Sequence, residues 1–225
     1  MGAIAPVRSL VVTNDYPPRP GGIQTYVQEL LVRQPPDEVL VLASSWKGAA
    51  VFDAAQSFPV VRADTSVLLP TLATLRLARD LAKAEACDRV WFGAAAPLGL
   101  LASRLRLDRA VGSTYGHEVL WAGLPVGRQV LGRIAGGLDA VTHLTAWTAS
   151  RLTPFRDTPS VLLPPGVDAH VFRPGCGGQE VRARHGLGDR PVIVCVSRLV
   201  PRKGQDQLIR ALPLVQQAIP DVALL

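Results

Sequence analysis

The chain has 225 residues, of which 48% are hydrophobic and 19% charged, a composition that excludes an intrinsically disordered protein. Its formal net charge is +6 at pH 7, and all of its cations are arginine except Lys47, Lys83 and Lys203. This balance favours anionic partners, which are nucleotide phosphates, nucleic acid or an anionic membrane face, and by itself it does not choose among them.

Short apolar runs alternate with longer helix-like segments through most of the chain. Near-continuous apolar strands between helices are typical of a parallel sheet that is covered on both faces. We therefore predict an α/β fold, with a Rossmann-like parallel-sheet domain over residues 1–165. The predicted strands are residues 10–13, 39–42, 60–62, 90–92, 111–114, 140–144 and 161–163. The predicted helices are residues 23–32, 71–85, 98–106, 126–134 and 146–152.

The proline-rich segment 164–168 interrupts this alternation, which then starts again. We predict a short helix at 180–185, a strand at 192–196, an amphipathic helix at 203–218 and a strand beginning at 222. These few elements cannot bury a core alone. Residues 166–225 are therefore assigned to a hinge and the incomplete start of a second Rossmann-like domain. We expect the sequence to be a fragment of a longer protein, the alternative being a naturally short one.

The segment YPPRPGGIQTY, residues 16–26, joins the first predicted strand to the first predicted helix. Glycine lets another group approach the backbone closely. A free helix N-terminus presents unpaired N–H groups and a partial positive charge. We therefore predict a diphosphate site at Gly21 and Gly22, with an ordinary loop connection as the alternative. Neither the dinucleotide fingerprint nor the P-loop motif occurs in this segment.

His117 follows the fifth predicted strand in the sequence TYGHE, where Gly116 leaves room beside it. A neutral imidazole offers one donor and one acceptor, so it can bind a substrate hydroxyl or a developing charge. The alternative is a histidine that orders its own loop. Glu118 is expected either to orient His117 or to cap the following turn.

A second anion site is predicted at Arg198 and Lys203, between the strand at 192–196 and the helix that follows it. A guanidinium can grip a diphosphate with two bonds, and an ammonium adds a mobile point charge. A solvated basic loop is the alternative. The sequence has no recognisable metal-ligand cluster, and its three cysteines lack C-x-x-C spacing, so no metal site is predicted.

The helix predicted at 71–85 carries Arg76, Arg79 and Lys83 on one face. One interpretation is attraction to anionic lipid headgroups. The other is a solvated helix face with salt partners such as Asp80 and Glu85. Nucleic acid is not predicted as a partner, because the cations are not interleaved with aromatic residues and no reader motif is present.

Four separated motifs now fall in a recognisable order. They are YPPRPGGI at 16–23, GHE at 116–118, PGVD at 165–168 and SRLVPRKG at 197–204. Together they resemble the retaining GT-B glycosyltransferases of family 4. The segments TNDYPP at 13–18, WKG at 46–48 and WFGAAAPL at 91–98 are similar to the actinobacterial phosphatidylinositol mannosyltransferases within that family.

The resemblance implies two Rossmann-like domains facing across a cleft, with the acceptor mainly on the first domain and the nucleotide sugar mainly on the second. It implies transfer of mannose from GDP-mannose to phosphatidylinositol monomannoside, with retention of configuration and with no cofactor or obligatory metal. It also implies a cytoplasmic protein, peripheral at the inner face of the cell membrane and in contact with its anionic surface.

The same resemblance assigns roles to individual residues. Gly21 and Gly22 would contact the donor diphosphate and sugar, and His117 would lie beside the transferred sugar. The side chains of Arg198 and Lys203 would hold the diphosphate and stabilise the charge that grows on the leaving GDP. His117, Arg198 and Lys203 are thus the implied catalytic residues.

The sequence departs from the family in one respect, since it lacks the E-x7-E motif and most of the nucleotide-base pocket. We therefore expect the chain as given to be inactive. The family's C-terminal helix, which packs on the first domain, is also missing, so apolar surface should be exposed there. The alternatives are another family-4 glycosyltransferase with a different nucleotide sugar or acceptor, and a non-catalytic anion- or lipid-binding module.

Overall fold

A computed structural model describes residues 8–225, except for the side chain of Arg202. Seven parallel strands form one sheet in the order β3-β2-β1-β4-β5-β6-β7. They are β1 (Ser9–Thr13), β2 (Val39–Ser44), β3 (Val60–Ala63), β4 (Arg89–Phe92), β5 (Arg109–Thr114), β6 (Ala140–His143) and β7 (Ser160–Leu162). The strand order reverses between β1 and β4. In open parallel sheets, such a switch point is where ligands bind beyond the carboxyl ends of the strands.

Helices cover the two faces of this sheet. They are α1 (Gly22–Leu31), α2 (Ala49–Ala54), α3 (Leu72–Ala84), α4 (Ala102–Leu105), α5 (Glu118–Ala122), α6 (Pro125–Ala135) and α7 (Ala146–Arg151). Successive strand residues point to opposite faces. In β1, Leu10 and Val12 belong to the larger core cluster with α3, α4 and α6, whereas Val11 packs in a second cluster with Val27 and Leu31 of α1. The α/β prediction with a parallel sheet is therefore confirmed.

The α1 face of the sheet contains a groove over the central strands. Trp91 of β4, Val111 of β5 and Thr142 of β6 line a cavity of about 340 Å³ together with Leu30 and Leu31 of α1. Trp91 and Val111 are only partly buried there. Apolar sheet residues are therefore incompletely covered here, and Val161 and Leu162 of the edge strand β7 are more exposed still, at 57% and 53%.

Most predicted elements of the large sheet and its helices are present, with ends shifted by one or two residues, but one predicted helix is wrong and two helices were missed. The single helix predicted at 98–106 is wrong, because Leu98–Leu101 forms a 3₁₀ turn before α4, and Arg106 then adopts a left-handed conformation with φ of 56°. Helices α2 and α5 were not predicted. They have six and five residues, which is too few for an apolar repeat to be seen in the sequence.

The strands and helices above form the first compact unit, which ends at Pro165, and residues Gly166–Leu225 form the second. It contains α8 (Gly178–Arg184), β8 (Val192–Ile193), α9 (Gln205–Ala218) and β9 (Ala223–Leu224). The strand predicted at 192–196 is shorter than expected, because β9 pairs with only Val192 and Ile193 before one further bond from Cys195 N to Leu225 O. Among the described side chains of this unit, Leu187 and Val222 are the buried hydrophobic ones.

The long helix of the second unit begins two residues later than predicted. Pro201–Lys203 forms a 3₁₀ turn, and Gly204 then takes a left-handed conformation with φ of 72° before α9 starts. Within residues 8–225, no helix combines the length and the apolar character needed to cross a bilayer.

Candidate functional site

Three loops leave the carboxyl ends of β1, β4 and β5, which are neighbours at the switch point of the sheet. Tyr115 connects them. Its hydroxyl donates to the carbonyl of Gly93 at 2.5 Å, and its ring meets that of Tyr26 edge to face, with centroids 5.8 Å apart. Burial raises the pKa of Tyr115, which keeps the phenol protonated as a donor. The loops after β4 and β5 and helix α1 are thereby held in one rim.

Helix α1 starts at this rim with an uncapped end. No side chain caps its first turn, and no acidic residue lies there. A Cβ at Gly22 would meet no other atom within 4 Å, whereas a Cβ at Gly21 would lie 2.1 Å from Oε1 of Gln24. The structure therefore places both predicted glycines at an open helix start, where N–H groups and the helix dipole favour an anion.

His117 lies on the same rim, next to Tyr115. Its ring is parallel to the Tyr115 ring at a centroid distance of 6.4 Å, and its side chain is 45% exposed. Nε2 lies 3.4 Å from Oε1 of Glu118, which is close enough for charge attraction but does not make a hydrogen bond. The imidazole can therefore still bind a ligand.

Glu118 is fully buried and serves mainly the backbone of its own loop. Its Oε2 accepts hydrogen bonds from the N–H groups of Tyr115 at 3.1 Å and Gly116 at 3.0 Å. Gly116 has a φ of 97°, which favours glycine. Of the two roles expected for Glu118, the geometry favours capping of the turn that carries His117.

Asp15, which follows β1 by two positions, was not among the predicted site residues. Its Oδ1 accepts a hydrogen bond from Nε2 of the buried Gln24 at 2.7 Å, which ties the loop to α1. Burial raises the pKa of Asp15, and the positive charges of Arg19 and His117 oppose that rise. Asp15 therefore lies near His117 on the same rim. A carboxyl group directly beyond a buried strand is the signal that could have found it.

His143 lies inside β6 and is almost fully buried, as a structural role requires. Its Nδ1 is 2.7 Å from Oγ1 of Thr114, and that hydroxyl also donates to the carbonyl of Thr142 at 3.0 Å. Burial lowers the pKa of His143, so the ring stays neutral at lower pH than usual. His143 is therefore part of the sheet that supports the rim.

Arg198 and Lys203 lie in the second unit, and both side chains are exposed. The side chain of Gln205 organises the start of the loop that carries them, since its Nε2 donates to the carbonyl of Arg198 at 2.7 Å and to Oγ of Ser197 at 2.6 Å. The structure thus groups Gly21, Gly22 and His117 on the first unit and Arg198 with Lys203 on the second. Among residues 8–225, no group of three His, Cys, Asp or Glu side chains is placed to hold a metal ion.

No family model matches the chain. It is 47% identical, over 96% of its length, to the GDP-mannose-dependent alpha-(1-6)-phosphatidylinositol monomannoside mannosyltransferase of Mycobacterium tuberculosis, and it covers 60% of that protein. It is 41% identical, over 97% of its length, to the monoacylated phosphatidylinositol monomannoside mannosyltransferase of Corynebacterium glutamicum, and again covers 60% of it. The chain thus spans about 60% of the length of the curated relatives it matches.

Solved structures share its fold at low sequence identity. HepE of Anabaena in complex with UDP superposes with a TM-score of 0.73 at 16% identity, over 97% of this chain and 62% of that one. An alpha,alpha-trehalose-phosphate synthase of Burkholderia xenovorans with glucose-6-phosphate superposes with a TM-score of 0.62 at 15% identity, over 96% of this chain and 64% of that one. The fold is that of the GT-B glycosyltransferases.

Proposed function

We propose that the chain belongs to the GT-B glycosyltransferases and that its protein transfers mannose from GDP-mannose to phosphatidylinositol monomannoside, with retention of configuration and without an obligatory metal. The observation that carries this proposal is the 47% identity, over 96% of the chain, to a mannosyltransferase of that specificity. The open helix start and the accessible imidazole at the switch point support it, because both suit a sugar diphosphate.

Each group at the site has a chemical role in this proposal. The N–H groups at the start of α1 donate hydrogen bonds to a diphosphate oxygen, and the absence of a side chain at Gly22 lets that oxygen approach. His117 hydrogen-bonds the transferred sugar. Arg198 and Lys203 neutralise the charge that develops on GDP as it leaves, which lowers the barrier electrostatically. The acceptor hydroxyl attacks from the face on which GDP departs, a route that needs no side-chain nucleophile.

A lipid acceptor requires the enzyme to reach a bilayer, and we place the contact at α3. Its side chains Arg76, Arg79 and Lys83 are exposed, and the apolar side chains of Leu69 and Leu72 are 53% and 62% exposed where the helix begins. Cations beside exposed leucines suit the interface of an anionic membrane. We therefore propose a cytoplasmic enzyme, peripheral at the inner membrane face.

The reaction is tested with a full-length version of the protein, incubated with phosphatidylinositol monomannoside and one of GDP-mannose, a UDP-sugar or an ADP-sugar. We expect mannose to reach the lipid from GDP-mannose alone, and the anomeric configuration of the product to match that of the donor. Transfer to a different acceptor with none to this lipid would overturn the acceptor. Transfer from a UDP- or ADP-sugar in preference to GDP-mannose would overturn the donor.

A further inference from the structure

The loop after β2 carries an exposed aromatic side chain between two cations. Trp46 is 39% exposed, and the guanidinium of Arg19 lies 5.2 Å from the centroid of its ring. Lys47 is exposed and makes no ion pair within residues 8–225. We call Arg19, Trp46 and Lys47 the Trp46 platform. Neither the diphosphate site nor the rim around His117 uses it.

A buried ion pair fixes the backbone beneath the platform. Arg62 donates to both carboxylate oxygens of Asp53, at 3.0 and 2.7 Å, and these two side chains are 13% and 15% exposed. Arg62 also donates to the carbonyl of Ser44 at 3.0 Å and to that of Pro17. The loops after β1 and β2 are therefore joined through one side chain. A binding surface that is already ordered loses less entropy when a ligand arrives.

Two adjoining cavities open beside the platform, with volumes of about 410 and 540 Å³, and both are lined by Ser45 and Trp46. The smaller is completed by Lys47, Asp64, Thr65 and Ser66. The N–H of Ser45 donates to the carbonyl of Thr65 at 2.7 Å, so the two loops form one wall. These volumes fall in the range of small-molecule sites.

The chemistry of this wall suits a phosphate ester of a cyclic polyol. The flat indole can pack against the C–H face of a six-membered ring. The carboxylate and hydroxyls of Asp64, Thr65 and Ser66 can bind ring hydroxyls, and the cations of the platform can bind the phosphate. Arg19 lies only three positions before Gly22, so the cavities flank the same carboxyl edge of the sheet as the diphosphate site.

We propose that the Trp46 platform and these cavities bind the phosphoinositol headgroup of the lipid acceptor. The assignment to an acceptor rests on the proposed mannosyl transfer, while the class of ligand rests on the residues themselves. The headgroup would be held by its phosphate at Lys47 and Arg19 and by its ring at Trp46.

The test is calorimetric titration of the 225-residue chain with glycerophosphoinositol, without donor or turnover. Trp46→Ala and Lys47→Ala should each weaken binding about tenfold or more, since each removes a contact of about 1.4 kcal/mol. Trp147→Ala and Arg151→Ala are the matched controls and should bind normally. Trp147 is 58% exposed, with the guanidinium of Arg151 5.8 Å from its ring, and so repeats the aromatic–cation pair elsewhere.

Inorganic phosphate and myo-inositol, titrated separately, distinguish the sources of affinity, and both should bind more weakly than glycerophosphoinositol. Phosphate that binds equally tightly, with no effect of Trp46→Ala, would overturn the polyol part of the proposal. Equal losses in the control variants, or no binding at millimolar glycerophosphoinositol, would overturn the site. If binding follows Trp46 and Lys47 but the full-length protein transfers no mannose, the proposed reaction fails and the headgroup site stands.

Discussion

Gly22 begins α1, and the space that a Cβ would fill there is open, so nothing in the protein itself requires glycine at this position. We predict that Gly22→Ala leaves the chain as stable as before or stabilises it by about 0.4–1 kcal/mol, because alanine restricts the unfolded state. Binding of GDP-mannose should nevertheless weaken, since the added methyl group occupies the approach of the diphosphate. Denaturant unfolding and donor affinity of the full-length protein measure the two effects.

Gly132 provides the matched control for this substitution. It lies inside α6, and a Cβ there would also meet no atom within 4 Å. Gly132→Ala should stabilise the helix by up to about 1 kcal/mol and leave donor affinity unchanged. A Gly22→Ala variant with normal donor affinity would remove Gly22 from the site, whereas weaker donor binding by both variants would indicate an indirect effect.

The residues of the rim differ in how readily the sequence predicts them. Gly21, Gly22 and His117 each lie in the connection that leaves the end of a strand, so their location at the carboxyl edge follows from the parallel sheet alone. Asp15 is identified as a site residue only by its contacts. It accepts a hydrogen bond from Gln24, nine positions later, and it lies near His117, which is distant in sequence and is brought close by the sheet. The WKG segment supported the family resemblance, but the cavities beside Trp46 depend on the loop after β3, which no sequence pattern connects to it.

At the scale of elements, the sequence predicts the strands well because every strand of the large sheet contains a run of apolar residues. Errors concentrate where local backbone conformation decides the outcome. The 3₁₀ turn Leu98–Leu101 replaces the predicted α-helical start after Pro97, and the 3₁₀ turn Pro201–Lys203 moves the start of α9 from the predicted residue 203 to Gln205. Helix α2 begins after Gly48, and Gly48 itself takes a left-handed conformation. The helix is too short to show amphipathic spacing in the sequence.

The loop and turn before α9 carry Arg198 and Lys203, and these two residues lead to a prediction about catalysis. Arg198→Ala or Lys203→Ala in the full-length protein should slow transfer roughly ten- to a hundredfold, because each variant loses a charge-assisted contact of about 1.5–3 kcal/mol with the diphosphate. Both side chains are exposed, so stability should not change. Steady-state kinetics with varied GDP-mannose measure the effect.

Arg210→Ala is the control for these two variants. Arg210 lies on α9, where it is exposed and pairs with Asp206 at 3.9 Å, a surface contact that contributes little. Its loss removes the same charge from the same unit without reaching the loop and turn that carry Arg198 and Lys203. Normal donor kinetics in both Arg198→Ala and Lys203→Ala would exclude these residues from the diphosphate site.

At the scale of the whole chain, the two units differ in how completely their sequences determine a core. The first buries a sheet between helices and presents a rim that uses loops from several strands. In the second, Leu187 and Val222 are the hydrophobic side chains buried among those described. Composition predicts neither arrangement, and the net charge predicts only that some surface attracts anions. Which surface does so requires the exposed cations to be located on the fold.

The face of α3 that carries Arg76, Arg79 and Lys83 leads to the prediction for the whole molecule. We expect the 225-residue chain to bind vesicles containing anionic phospholipid, and substitution of all three cations by Gln to weaken binding about a hundredfold, at about 1 kcal/mol per charge. Added salt should reduce binding in parallel.

Replacing the exposed Arg184, Arg190 and Arg210 instead also lowers the net charge from +6 to +3, but should have little effect on vesicle binding. Equal losses from both triple variants would attribute binding to net charge, and no preference for anionic vesicles would refute a membrane face at α3.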